Sequence, residues 1–256
     1  MPAPSNKDLV HSELLPLVTP EVLQQRLAEA ACYAVLQRIS PVLRHDVAGC
    51  MQPVGMLTKV LQRRVQMAEP DLREITNNLA SVGALVKEAT AGCMNAMGWM
   101  ISGEDKPVSL RSGVSEAIQL LGPELFGTEL ELRNGISDEQ TSVPQSYLRS
   151  VLMGALLAFC DHRSAGNILQ VTLETGAEDS DAHRALLMRM LPSDTVNTPA
   201  LGGTNRRSRS IDWQDVQAMA DSFNVTMERG DGWLRLGLPQ AIKVTVTDAR
   251  SQPTGL

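Results

Sequence analysis

Between residues 36 and 61 the chain places Leu36, Ser40, Leu43, Val47, Cys50, Val54, Leu57 and Leu61 at alternating spacings of four and three, with Ser40 as the one small polar member. That period is the seam of a helical bundle. A second run follows, in which Leu72, Ile75, Leu79, Val82, Val86, Ala89, Cys93, Ala96 and Met100 repeat at three and four. Thr19-Pro20-Glu21 reads as an N-cap followed by proline at the first helical position, and Glu69-Pro70-Asp71 supplies a break and restart between the runs. The pattern therefore predicts a long antiparallel helical hairpin over 20–103. Such a hairpin cannot cover both apolar stripes by pairing only with itself, so a homodimer forming a four-helix bundle is expected. Pro41 and Pro53 fall inside the first helix, where each removes a backbone donor and is expected to bend the axis.

After Gly103 the periods mix. Residues 109–121 read as a helix, 128–133 as a strand, and 144–160 as a strongly apolar helix opened by Pro144. Strands are predicted over 168–174 and 185–191, a polar loop over 192–210, and a helix over 211–223. A terminal hairpin over 225–228 and 233–238 turns at Gly230-Asp231-Gly232. The fold class is α+β. The expected division is a leader over 1–19, the hairpin over 20–103, a second domain over 107–248 and a tail over 249–256.

Composition narrows the function. With 256 residues and 43% hydrophobic content the chain is long enough for one large core or two smaller ones, and 3% aromatics with twelve methionines favours helix packing over an all-β sandwich. A net charge of −6 argues against a nucleic-acid partner; Arg206, Arg207 and Arg209 are the single tight basic cluster and read as a solvated loop. Cys32, Cys50, Cys93 and Cys160 lie far apart without metal-ligand spacing, so no zinc site is expected and reduced thiols are. No stretch reaches the roughly 20 apolar residues of a membrane span, so no membrane partner and a cytoplasmic location are expected.

One position carries chemistry. If Leu43 is d and Val47 is a, His45 falls at f, pointing away from the bundle core, and Arg38, Gln52 and Lys59 share that stripe at intervals of seven, which predicts a solvent face. By position alone a histidine there is a tolerated surface residue. The string Leu43-Arg44-His45-Asp46-Val47, followed by Gln52-Pro53-Val54-Gly55, resembles the H-box of sensor histidine kinases, in which an exposed histidine precedes an acid and, several residues on, a proline. The resemblance extends from about residue 30 to 239. Pro107-Val108-Ser109-Leu110 follows the hairpin, Val143-Pro144-Gln145-Ser146-Tyr147-Leu148 is similar to the entry into the N-box helix of the ATPase domain, and 215–238 looks like that domain's last helix and hairpin.

The resemblance implies a dimeric helical hairpin followed by a GHKL ATPase-like α/β sandwich, with His45 as phosphoacceptor and Asp46 favouring its reactive tautomer or stabilising its charge. An imidazole with an ordinary pKa near 6.5 is a competent nucleophile at neutral pH. The sandwich departs from the family. Gly154 and Ala158 stand where the kinases carry two N-box asparagines, and neither offers Mg²⁺ an oxygen; Asp161 and His162 nearby are a poor substitute. Gly202-Gly203 alone remains of the Gly-rich nucleotide loops, and Gly49 occupies the position where many relatives orient a water for phosphatase chemistry.

The expected function is a histidine phosphotransfer protein that relays a phosphoryl group between receiver-domain aspartates through His45. It would have no cofactor of its own, no ATP, and Mg²⁺ supplied by the receiver. Partners are receiver domains of response regulators or of a hybrid histidine kinase, docking at Arg44 beside His45 and at Met56, Val60 and Arg63 on the helix between His45 and the hairpin turn. The alternative is a non-catalytic pseudokinase scaffold or inhibitor that binds a kinase or response regulator; an ATP-dependent kinase is the third reading.

Overall fold

The computed structural model describes residues 19–100, 105–125, 130–138, 140–162, 167–174, 184–192 and 209–239. The expected leader, apart from Thr19, and tail lie outside them, as do Gly202, Gly203, Arg206 and Arg207. Helix α1 (Pro20–Val65) starts at Thr19, whose side chain accepts from the Val22 N–H at 3.4 Å, with Pro20 inside the first turn. It runs unbroken through Pro41 and Pro53. Asp71 caps α2 (Leu72–Met100), accepting from the Arg73 and Glu74 N–H groups. The two helices pack side by side as the predicted hairpin.

Five strands form one sheet in the order β2-β4-β5-β7-β6: β2 (Glu131–Asn134), β4 (Asn167–Glu174), β5 (Ala185–Pro192), β7 (Trp233–Gly237) and β6 (Met227–Gly230). Only the β2–β4 pair is parallel. β6 and β7 turn through Asp231 and Gly232, the latter at φ 70°, where glycine carries no steric penalty. Helix α3 (Leu110–Leu125) and α6 (Trp213–Ser222) flank a composite helix. This runs from α4 (Gln145–Tyr147) through a π-helical stretch (Leu148–Leu152) into α5 (Met153–His162). Their apolar side chains and those of β4, β5 and β7 form one buried core, giving a two-layer sandwich of helices over sheet. Sequence reasoning missed a short antiparallel ribbon of β1 (Pro107–Ser109) and β3 (Ser142–Pro144), which is three residues per strand and too short to show a period.

The hairpin and the sandwich share that core. Ala31, Ala34, Val35, Ile39, Val42 and Leu43 of α1 are buried in it, and α1 contacts α3, α5 and α6 as well as α2. The second helix is fastened to the sandwich at the same end of the hairpin. Trp99 donates to Glu116 at 3.1 Å, the Arg149 guanidinium lies 5.2 Å above the Trp99 ring, and Arg149 donates to the Gly98 carbonyl. One expectation is overturned. Arg38 does not belong to a solvent face with Gln52 and Lys59: it is buried beneath the sandwich, because α1 carries a second apolar stripe in its N-terminal half that faces α5 and α6.

Candidate functional site

The helix that seals the sandwich also presents the histidine. Leu43 is the last residue of α1 to be buried, and two residues later His45 stands with 87% of its side chain exposed. The Asp46 carboxylate lies 3.6 Å from His45 Nδ1. That is beyond hydrogen-bond reach, but a carboxylate on the Nδ1 side favours the proton there and leaves the lone pair on Nε2. Arg44 is exposed beside them, and a Cβ added at Gly49, one turn on, would meet nothing within 4 Å. A partner can therefore approach the imidazole closely from the Gly49 side.

Met56, Val60 and Arg63 are all exposed, farther along α1 toward the hairpin turn. At 1.5 Å of rise per residue they lie about 16–27 Å from His45 along the axis. The structure thus brings His45, Asp46 and Arg44 together on one turn and strings the other three along the exposed helix toward the hairpin turn. Only a partner with an extended surface touches all six.

The positions that the resemblance assigns to magnesium binding lie inside the packed layer of the sandwich. A Cβ at Gly154 would fall 2.2 Å from Met219 Cε and 3.7 Å from Val35 Cγ2, and Ala158 is fully buried. The space beside Gly154 is taken by the chain's own α6 and α1. Asp161 is engaged by Arg38 at 3.0 and 3.1 Å and accepts the Ile211 N–H at 2.9 Å. His162 holds the Ala158 carbonyl at 2.9 Å through Nδ1 and lies against Trp213. These residues do not fit Mg²⁺ and a triphosphate. Restoring the family side chain should accordingly fail. Gly154→Asn is expected to destabilise the fold by about 1–3 kcal/mol, since an added branch must displace Met219, and urea unfolding of the variant against the parent measures it.

Three residues that sequence reasoning did not weigh as a set converge here: Arg38, Glu124 and Asp161. The Arg38 guanidinium donates to both Glu124 oxygens and to both Asp161 oxygens at 3.0–3.2 Å. Burial works against its charge, yet the hydrogen bonds to Asp161 and Glu124 outweigh that and hold its pKa above the ordinary arginine value. The available signal was the doubling of apolar positions on α1, where Ala28, Ala31, Val35, Ile39 and Val42 mark a face distinct from the bundle seam.

No family model matches the chain, and no curated protein matches it. Solved structures do show likeness. The Acinetobacter baumannii histidine kinase AdeS is similar at 11% identity and a TM-score of 0.38, over 72% of this chain and 96% of that one. A histidine kinase from Burkholderia phymatum is similar at 14% identity and 0.38, over 80% of this chain and 99% of that one. The catalytic domain of histidine kinase ThkA is similar at 10% identity and 0.40, over 54% and 96%. Among the described residues no helix is long and apolar enough to cross a membrane.

Proposed function

We propose that this protein is a dimeric histidine phosphotransfer protein of two-component signalling, in which His45 accepts a phosphoryl group from one receiver-domain aspartate and returns it to another. The observation that carries this reading is the exposure of His45 just past the last buried residue of α1, within the string that resembles the kinase H-box. In the forward step Nε2 attacks the phosphorus of an aspartyl phosphate in line with the acyl-phosphate oxygen. The P–N bond forms, the P–O bond breaks, and the aspartate leaves as a carboxylate. The Nδ1 proton stays on the ring, beside the Asp46 carboxylate, so no base is needed at the moment of attack. The receiver's Mg²⁺ neutralises the phosphoryl oxygens, and this chain supplies nucleophile, orientation and docking surface.

The absence of ATP chemistry belongs to the same proposal and is supported by Met219 against Gly154 and by the burial of Ala158. Dimerisation is supported by the exposed row Leu72, Leu79 and Val86, which repeats every seven residues on α2, while Ile75, Val82 and Ala89 are turned inward. The direct experiment mixes the purified protein with receiver domains of the same genome, phosphorylated by acetyl phosphate, and follows acid-labile label. Transfer to this chain supports the relay; no transfer from any receiver overturns it. In parallel, millimolar Mg·ATP is expected to leave the melting temperature unchanged, because a ligand that does not bind the native state cannot stabilise it. A magnesium-dependent rise would contradict the nucleotide-free reading.

Docking is proposed on the face of α1 carrying Met56, Val60 and Arg63, with Arg44 on the flank beside His45. Val60 is 40% exposed. Val60→Glu is expected to weaken receiver binding about tenfold, roughly 1.4 kcal/mol, while sedimentation still reports the dimer. Unchanged receiver affinity would move the docking site elsewhere.

A further inference from the structure

Arg38 and His45 are seven residues apart on α1. Seven residues fall about 20° short of two full turns and rise about 10 Å, so the two side chains leave the helix on the same face. Their surroundings are opposite. The Arg38 side chain is 2% exposed and that of His45 87%. One face of a single helix therefore passes from beneath the sandwich into the open within two turns, so the rim of the sandwich lies on the face of α1 that carries His45.

What holds the rim there is a fork. Arg38 Nε and Nη2 bind Glu124 near the end of α3, while Nη1 and Nη2 bind Asp161 near the end of α5. Asp161 in turn accepts the Ile211 N–H, two residues before α6 begins. One guanidinium thus ties all three helices of the sandwich layer to α1. Burying such a triad is expensive, and apolar side chains of similar volume commonly hold helices together at least as well. Apolar contacts slide, however, whereas two carboxylates on separate elements converging on one planar fork fix orientation and register.

We propose that Arg38 is a positioning residue of the phosphotransfer site: through Glu124 and Asp161 it locks the sandwich on α1, so that its rim is a fixed wall beside His45 against which a receiver domain seats. The functional half of this inference rests on the relay reading of His45; the structural half rests on the geometry alone. A sandwich free to move would offer the receiver the seated arrangement only part of the time, and apparent affinity falls by that fraction.

Two measurements on the full chain test it, on Arg38→Met, on Arg38→Lys, and on the triple variant Arg38→Met/Glu124→Gln/Asp161→Asn, which leaves no buried carboxylate stranded if the single variant does not fold. The first is amide hydrogen exchange. Segments 28–43 and 153–162 are expected to exchange at least tenfold faster in the Met and triple variants, with β4 and β5 unchanged and Arg38→Lys intermediate, since an ammonium cannot span both carboxylates. Unchanged exchange in 28–43, or an equal loss of protection in β4 and β5, would overturn the lock. The second is transfer from an acetyl-phosphate-labelled receiver domain. KM for the receiver is expected to rise about tenfold with kcat held within about threefold; a fall in kcat at constant KM, or no change in either, overturns the seating role. If the unmodified protein accepts no label, the relay reading fails by itself, and the exchange experiment still decides whether Arg38 locks the sandwich.

Discussion

His45→Gln is expected to abolish acid-labile labelling of the chain from any phosphorylated receiver, a loss on the order of 10³-fold or more, limited by detection. Glutamine keeps the length and polarity of the side chain but has no lone-pair nitrogen that can form a P–N bond. Because His45 is 87% exposed, the variant should fold as the parent does, with stability altered by no more than about 0.5 kcal/mol. Receiver binding should also survive, since it is spread over the helix face and the sandwich rim. The measurement is therefore a contrast: retained binding by titration calorimetry, lost label by gel autoradiography. A variant that still labels would move the phosphoacceptor to another histidine, His162 first. A variant that loses no activity in any signalling readout would favour the scaffold.

Leu79→Glu is expected to convert the dimer to monomer. Leu79 is 62% exposed in the protomer and sits between Leu72 and Val86 on the outward row of α2. In a symmetric dimer each substitution acts twice. If each lost apolar contact is worth about 1.5 kcal/mol, two raise the dissociation constant by about 10²-fold before the cost of burying the new charge is added. Val82 is the instructive contrast, since it is half-buried inside the hairpin and its replacement by Glu should damage the protomer as well as the dimer. Sedimentation of both variants separates the two rows. A stable monomer of the unmodified protein would remove the four-helix bundle from the proposal.

Much of this architecture was legible from the chain. The break at Pro70, the capping threonine at 19, the period-two strands and the Asp231-Gly232 turn are local signals, and local signals set element boundaries. The exposure of His45 followed from the heptad seam, because its neighbours Leu43 and Val47 do face inward. The seat of Arg38 did not follow. Its heptad position says only where it points relative to the bundle, and what meets it there comes from residues 86 and 123 positions away in the sequence. Arginine on a solvent stripe and arginine beneath a docked layer look the same in a helical wheel. The distinction lay in the small residues Ala28, Ala31 and Ala34, which make a helix face flat enough for close approach and which a period read only from large side chains passes over.

The shared core has a consequence for synthesis. At about 5–20 residues per second, Asp161 leaves the ribosome roughly 6–25 s after Arg38, from which it is 123 positions distant. The hairpin can form quickly once Met100 has emerged, so for about half of that interval α1 carries a folded but uncovered apolar stripe from Ala28 to Leu43, with a buried-type arginine near its centre. The nascent chain is thus exposed to premature association along the face that the sandwich later covers. Arg38, still hydrated and charged during that wait, stands in the middle of the stripe as a gatekeeper against the wrong contact before it becomes the anchor of the right one.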